Sequence, residues 1–121
     1  MSRRIGTWGE AQVANYLRQK KFHLVAHSYH CRFGEIDLIA MDGNTLCFVE
    51  VKTRSNLAVG LPRDYVTAAK QERIRKTALF YLSEKELDCP VRFDVVEVYR
   101  GTDGGLARIV YMKNAFEVEA N

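Results

Sequence analysis

The stretch from Gly34 to Arg54 restricts the possible folds of this chain more than any other. Two apolar runs, Ile36 to Met41 and Leu46 to Val51, flank Asp42-Gly43-Asn44. Asp-Gly tolerates the positive φ angles of a tight turn, so the stretch is expected to form two adjacent antiparallel strands. A strand with one wet face would alternate apolar and polar residues. Leu46-Cys47-Phe48-Val49 does not, which predicts a sheet covered on both faces. Into these strands the sequence inserts Asp37, Glu50 and Lys52. Charges at the ends of covered strands are costly unless they are paired, hydrogen-bonded or bound to an ion.

Strand side chains alternate between faces, so Glu50 and Lys52 are expected on one side with Val51 on the other. Asp37 and Glu50 are about equidistant from the turn, which places them side by side near the hairpin's open end. Two carboxylates then meet one ammonium at the mouth of a sheet. Carboxylate oxygens are hard ligands that suit Mg²⁺ or Mn²⁺. A neighbouring lysine can hold a water and stabilise charge on a phosphate during transfer. The pattern fits metal-assisted phosphodiester hydrolysis. It also fits a plain same-face ion pair between Glu50 and Lys52.

The rest of the chain reads as one domain of 121 residues. Helical spacing of Ala11, Ala14 and Leu17, with Val13 and Tyr16 on the flank, predicts a first helix from Thr7 to Phe22. Thr7 serves as N-cap and Glu10 completes a capping box, which explains Glu10 without any chemistry. His23 to Phe33 is expected as a strand leading into the hairpin. His23, His27, His30 and Cys31 cluster there, yet their spacing matches no closed zinc pattern. Ser55 to Arg63, with Gly60 and Pro62, reads as a loop. Asp64 to Leu87 reads as a second helix carrying Lys70, Arg73, Arg75 and Lys76, either a solvated face or a phosphate-contacting one. A strand from Val91 to Tyr99 follows, with Asp94 a strand-end turn residue or a further polar group at the site. Gly101 to Gly105 reads as a hairpin loop, Leu106 to Met112 as a last strand and Lys113 to Asn121 as a frayed tail. The expected fold class is α/β, a mixed sheet of about five strands flanked by two main helices.

Composition narrows the classes. No apolar run approaches the roughly 20 residues of a membrane-spanning helix. Met-Ser-Arg-Arg is not followed by an apolar signal region, so a cytoplasmic location is expected. Three cysteines are odd in number and widely spaced, so no disulfide framework is expected. A net charge of +3 is compatible with a nucleic-acid partner without demanding one.

The motifs Gly34-Glu35-Ile36-Asp37-Leu38-Ile39-Ala40 and Phe48-Val49-Glu50-Val51-Lys52-Thr53-Arg54 resemble the signature of the YraN family of small bacterial proteins. Gly9-Glu10-x-x-Ala, Gly60-x-Pro62, Lys70 with Arg73-Ile74, and Arg92-Phe93-Asp94-Val95-Val96 stand where that family has its other motifs. The chain departs from the pattern just before Gly34, where Ser28, Tyr29 and His30 replace an Asn and further Arg residues. The family is similar to the PD-(D/E)XK nucleases of restriction-endonuclease-like fold, and most closely to archaeal Holliday junction resolvases. That resemblance implies metal binding by Asp37 and Glu50, with Glu10 as a third acid, and a water-orienting role for Lys52. It implies nucleic-acid contacts by Arg32, Arg54, Lys70 and Arg73. The expectation is therefore a Mg²⁺- or Mn²⁺-dependent endonuclease acting as a homodimer on branched or structured DNA, such as junctions or repair and recombination intermediates. A catalytically inactive nucleic-acid-binding module is the alternative, and an adaptor with a structural ion-pair cluster is a third reading.

Overall fold

A computed structural model describes residues 7–55 and 66–118. The first helix, α1, spans Trp8–Gln19, and three strands follow: β1 (His23–Cys31), β2 (Gly34–Asp42) and β3 (Thr45–Ser55). The second helix, α2, covers Ala68–Glu84 and leads into β4 (Val91–Arg100) and β5 (Leu106–Phe116). The five strands form one sheet in the order β1-β2-β3-β4-β5. Neighbours are antiparallel except β3 and β4, which run parallel. A parallel pair cannot be joined by a tight turn, and the segment between β3 and β4 carries α2. The expected α/β architecture, a mixed five-stranded sheet with two helices, is the observed one.

Both sheet faces are covered, as the unbroken apolar runs predict. Val13 and Leu17 of α1 pack with Leu38, Ala40, Cys47, Val49, Val96 and Val98 on one face. On the other, Ile74, Ala78 and Tyr81 of α2 pack with Ile39, Leu46, Phe48 and Phe93. Buried apolar area is the main stabilising term here, about 2 kcal/mol for each fully buried aliphatic side chain.

Helix boundaries are tighter than periodicity suggests. Thr7 caps α1 by accepting from the Glu10 N–H at 3.0 Å, and Thr67 caps α2 by accepting from the Lys70 N–H at 3.1 Å. The second helix therefore starts at Ala68 rather than Asp64, and residues 64 and 65 lie outside the described region, as do 56–63 of the expected loop. Both helices end in the same paired motif. Phe22 N–H reaches Leu17 O while Lys21 N–H reaches Arg18 O, and Leu87 and Glu86 repeat this with Leu82 and Ser83. Each motif needs a residue in the left-handed region, supplied by Lys21 (φ 71) and Glu86 (φ 52), so the helices stop before Phe22 and Leu87.

The segment expected as a frayed tail is paired strand as far as Phe116, and residues 119–121 lie outside the described region. Strand β5 runs on to Phe116, whose ring stacks on Phe93 with centroids 4.9 Å apart. Asn114 takes a positive φ of 53° and breaks the alternation, which puts Phe116 into the α2-side core. Local polarity hid this, because Lys113, Asn114 and Ala115 are all exposed.

Candidate functional site

The hairpin carries the site. Residues Asp42 and Thr45 form its last pair before the turn, and pairing continues outward to Leu38 opposite Val49. There the ladder stops. In place of the next backbone bond, Asp37 Oδ2 accepts the Val51 N–H at 2.8 Å. The strands thus splay where the acids lie, and a side chain takes over the duty of a main-chain acceptor. This satisfies the Val51 donor and holds the Asp37 carboxylate against β3.

Lysine and arginine come from α2. Lys70 Nζ lies 2.5 Å from Glu50 Oε2, and the Glu50 side chain is only 8% exposed. The expected same-face ion pair between Glu50 and Lys52 is therefore not the one formed, because Lys70 reaches the carboxylate from above the sheet. Half-buried Lys52 makes no side-chain hydrogen bond or ion pair among the described residues, and its register partner on β4 is Glu97. Together with Arg73, Lys70 lines a cleft of about 480 Å³ whose floor is Asp37 and Glu50 and whose far wall is His30, Cys31, Gly34 and Glu35. Gly34 lets that wall approach α2: its φ is 153°, and an added Cβ would lie 3.1 Å from Thr77 Oγ1.

Glu10 reaches the site from the opposite face. The N-terminus of α1 sits so close to β3 that a Cβ on Gly9 would fall 2.1 Å from Thr53 Oγ1. Only glycine allows this approach, and it brings Glu10 near enough to Asp37 for the two charges to interact. The capping box is half realised: Thr7 accepts from the Glu10 N–H, whereas Glu10 Oε1 is buried without a hydrogen-bond partner. Burial, then the Glu50 carboxylate, push Asp37 up to about 7; Glu10 adds to the rise and the Val51 N–H opposes it.

This donor set suits a hard divalent cation in charge and chemistry, since Asp37 interacts with both Glu50 and Glu10 and one buried Glu10 oxygen lacks a donor. It is not a finished cage. Among the described residues no three His, Cys, Asp or Glu side chains are already gathered closely enough to grip an ion. The histidine cluster likewise forms no zinc site: His23 and His30 are exposed, and His30 Nδ1 lies 3.3 Å from Ser28 O.

The remaining basic positions divide. Arg73 is exposed at the cleft, and Arg32 is exposed on the β1–β2 turn with its guanidinium 4.8 Å from the Phe33 centroid. Arg54 is largely buried and pairs with Glu97 at 3.4 Å. Arg75, on the helix face read as either solvated or phosphate-contacting, instead caps the core edge: it donates to Glu117 O at 2.9 Å and lies over the Phe116 ring.

Asp94 and Glu97 are two buried acids whose surroundings the local sequence does not reveal. Asp94 is neither a strand-end turn residue nor part of the cleft. It is fully buried on the α1 face, where it accepts from Arg92 Nε at 2.9 Å, Tyr111 OH at 2.6 Å and Asn114 N–H at 2.9 Å. Glu97 is 2% exposed beside Lys52 and Arg54. The available signal was two acids inside Phe93-Asp94-Val95-Val96-Glu97-Val98, a run too apolar for a solvated strand.

Fold and site together define an α/β protein with an acidic cleft edged by lysine and arginine at the splayed end of a hairpin. Residues 9–98 match the profile described as Uncharacterised protein family UPF0102. The chain is 48% identical to the UPF0102 protein STH1475 of Symbiobacterium thermophilum, covering 96% of this chain and 98% of the relative. It is 47% identical to a UPF0102 protein of Syntrophus aciditrophicus (95% and 90% covered) and 45% identical to one of Geotalea uraniireducens (94% and 90%). The chain belongs to the UPF0102 family, the YraN family expected from its motifs. Among the described residues no helix is long and apolar enough to cross a membrane.

Proposed function

We propose that this protein is a metal-dependent endonuclease that hydrolyses phosphodiester bonds of structured DNA, such as junctions or repair and recombination intermediates. The observation that carries the reading is the meeting of Asp37 and Glu50 on the floor of a cleft edged by Lys70 and Arg73, with Glu10, its Oε1 buried and unpartnered, close enough behind Asp37 for their charges to interact. Glu10, Asp37 and Glu50 would hold Mg²⁺ or Mn²⁺. When bound, such an ion supplies Lewis-acid stabilisation of charge on phosphate and makes a neighbouring water more acidic.

The chain's own residues do the rest. Arg73 presents a fork of N–H donors suited to a phosphate, and Arg32 extends the basic edge along the turn. Lys70 neutralises Glu50 in the absence of substrate and is free to transfer its charge to a phosphate once another cation takes its place. Lys52 orients the attacking water and offsets charge on the scissile phosphate. A cut in both strands of a junction needs two such clefts, so a homodimer is the expected working form.

One observation favours a second reading. The Lys70 ammonium already satisfies Glu50, and the three acids are not gathered at ligand distances. A nucleic-acid-binding module without turnover would keep this arrangement permanently. Labelled four-way junction, flap, single-stranded and duplex DNA, incubated with Mg²⁺ or Mn²⁺, separate the two. The nuclease cleaves at least one substrate, and Lys52→Ala loses cleavage while retaining binding. Metal-independent binding with no cleavage of any substrate would leave the module.

A further inference from the structure

A second cavity lies on the opposite face of the sheet, at the other end of its strands. It encloses about 340 Å³ and is lined by Tyr16, Lys20, Phe22, Asp42, Tyr111 and Lys113. Asp42 pairs with Thr45 at the β2–β3 turn, whereas Glu50 lies further along β3. At about 3.4 Å per residue, the two sites are roughly 17 Å apart along the strand, with the sheet between them.

The lining combines three chemistries. Tyr16 stacks on Tyr111 with centroids 5.8 Å apart, and Phe22 meets Tyr111 edge-on at 6.0 Å. Lys20 stands at the rim with its ammonium 5.5 Å from the Tyr16 centroid. Lys113, 60% exposed, lies 3.7 Å from the Asp42 carboxylate and is free to turn outward.

Beneath this lining sits the buried network around Asp94. Tyr111 OH donates to Asp94 Oδ2 at 2.6 Å, and Arg92 Nη1 donates to Asp42 Oδ2 at 2.9 Å. The same guanidinium lies 5.9 Å from the Phe22 centroid. A buried charge pair is weak as a stabilising device, since apolar side chains of like volume commonly do as well. What this pair does in the fold is fix three of the cavity's walls: Tyr111, Asp42 and Phe22. Such preorganisation is what a binding pocket requires.

We propose that this cavity binds a nucleotide. The base lies against the Tyr16, Phe22 and Tyr111 wall, which accepts any base because every base has a π-face. An amino or imino N–H of the base donates to Asp42. The phosphate sits between Lys20 and Lys113, whose flexible ammonium groups act as point charges. The volume lies within the range of small-ligand pockets, about 300 Å³ and upward. The proposal does not depend on the chemistry of the acidic cleft. A free nucleotide and the end of a nucleic-acid strand present the same groups, and the experiment distinguishes them.

The test titrates the full chain, in EDTA, with the four ribonucleoside monophosphates, a tetranucleotide and ribose 5-phosphate, followed by calorimetry and by NMR. Nucleotides are expected to bind and to shift resonances of Tyr16, Phe22 and Lys113. Affinity should fall about tenfold or more in Tyr16→Ala, as expected for loss of one stacking partner. The exposed pair Lys20→Glu/Lys113→Glu should weaken binding equally without touching the core, whereas Lys85→Glu, an exposed lysine lining neither cavity, should leave it unchanged. Equal affinity for mononucleotide and tetranucleotide identifies a free ligand; tighter tetranucleotide binding identifies a strand, and either result supports the proposal. No binding at millimolar nucleotide, binding of ribose 5-phosphate as tight as that of nucleotides, or binding that survives Lys20→Glu/Lys113→Glu undiminished would overturn it.

Discussion

Replacing Asp37 with asparagine should make the metal-free protein more stable at neutral and alkaline pH while removing the activity proposed for it. The folded state raises the Asp37 carboxyl from 3.8 to about 7, by burial first and the Glu50 charge second. Folded protein therefore holds this proton where the unfolded chain has released it. The stability this group contributes is fully present below about pH 4 and is lost as pH rises to about 7, above which it changes no further. The full shift corresponds to about 4 kcal/mol. Solvent reaching the half-buried site reduces this to about 2 kcal/mol. Asparagine resembles the protonated acid and still offers an oxygen to the Val51 N–H, so it should match the wild type near pH 4 and exceed it by about 2 kcal/mol near pH 8. For a chain of 121 residues that is a Tm higher by about 8 °C. Urea unfolding in EDTA across this range gives the measurement. Parallel pH profiles for the two proteins, or a less stable variant at pH 8, would refute the reasoning, because the charge-assisted bond to Val51 would then outweigh desolvation and repulsion.

Two further predictions follow from the packing. Asp94→Ala strips Arg92, Tyr111 and the Asn114 N–H of a shared buried acceptor and should cost about 3 kcal/mol in urea unfolding. Pairing it with Arg92→Met should cost clearly less than the two single changes combined. Gly9→Ala places a methyl group 2.1 Å from Thr53 Oγ1, so it should lower stability by about 1–2 kcal/mol in thermal unfolding, and Thr53→Ala in the same chain should recover most of that loss.

Much of this protein is legible before any coordinates. The non-alternating run Leu46-Cys47-Phe48-Val49 implies burial on both faces, and the fold covers both. Period-two alternation and symmetry about the turn put Asp37 beside Glu50, and although the ladder ends one pair short of them, the two carboxyls interact in the same cleft. Thr7 and its capping partner Glu10 mark the start of α1 to the residue. These features rest on contacts between near neighbours in sequence, or on a pattern that repeats with the geometry of one element.

Other features depend on residues far apart in the chain, and local patterns do not encode them. Glu50 could have paired with Lys52 on its own strand, but α2 crosses above the sheet and delivers Lys70. Asp94 could not be placed, because its partners Tyr111 and Asn114 arrive only when β5 pairs with β4 and bulges at Asn114. Phe116 looked like part of a solvated tail until that bulge turned it inward onto Phe93. Glu10 has a complete local explanation as a helix cap, and only the contact of Gly9 with Thr53 directs its carboxylate toward Asp37. The sequence by itself determined the elements, their covered faces and the acids at the hairpin's end, since these follow from backbone periodicity and turn chemistry. Which cation meets which acid, and which acids share one site, was decided only by the tertiary structure, because charge pairing acts through space over a few ångströms and ignores distance along the chain.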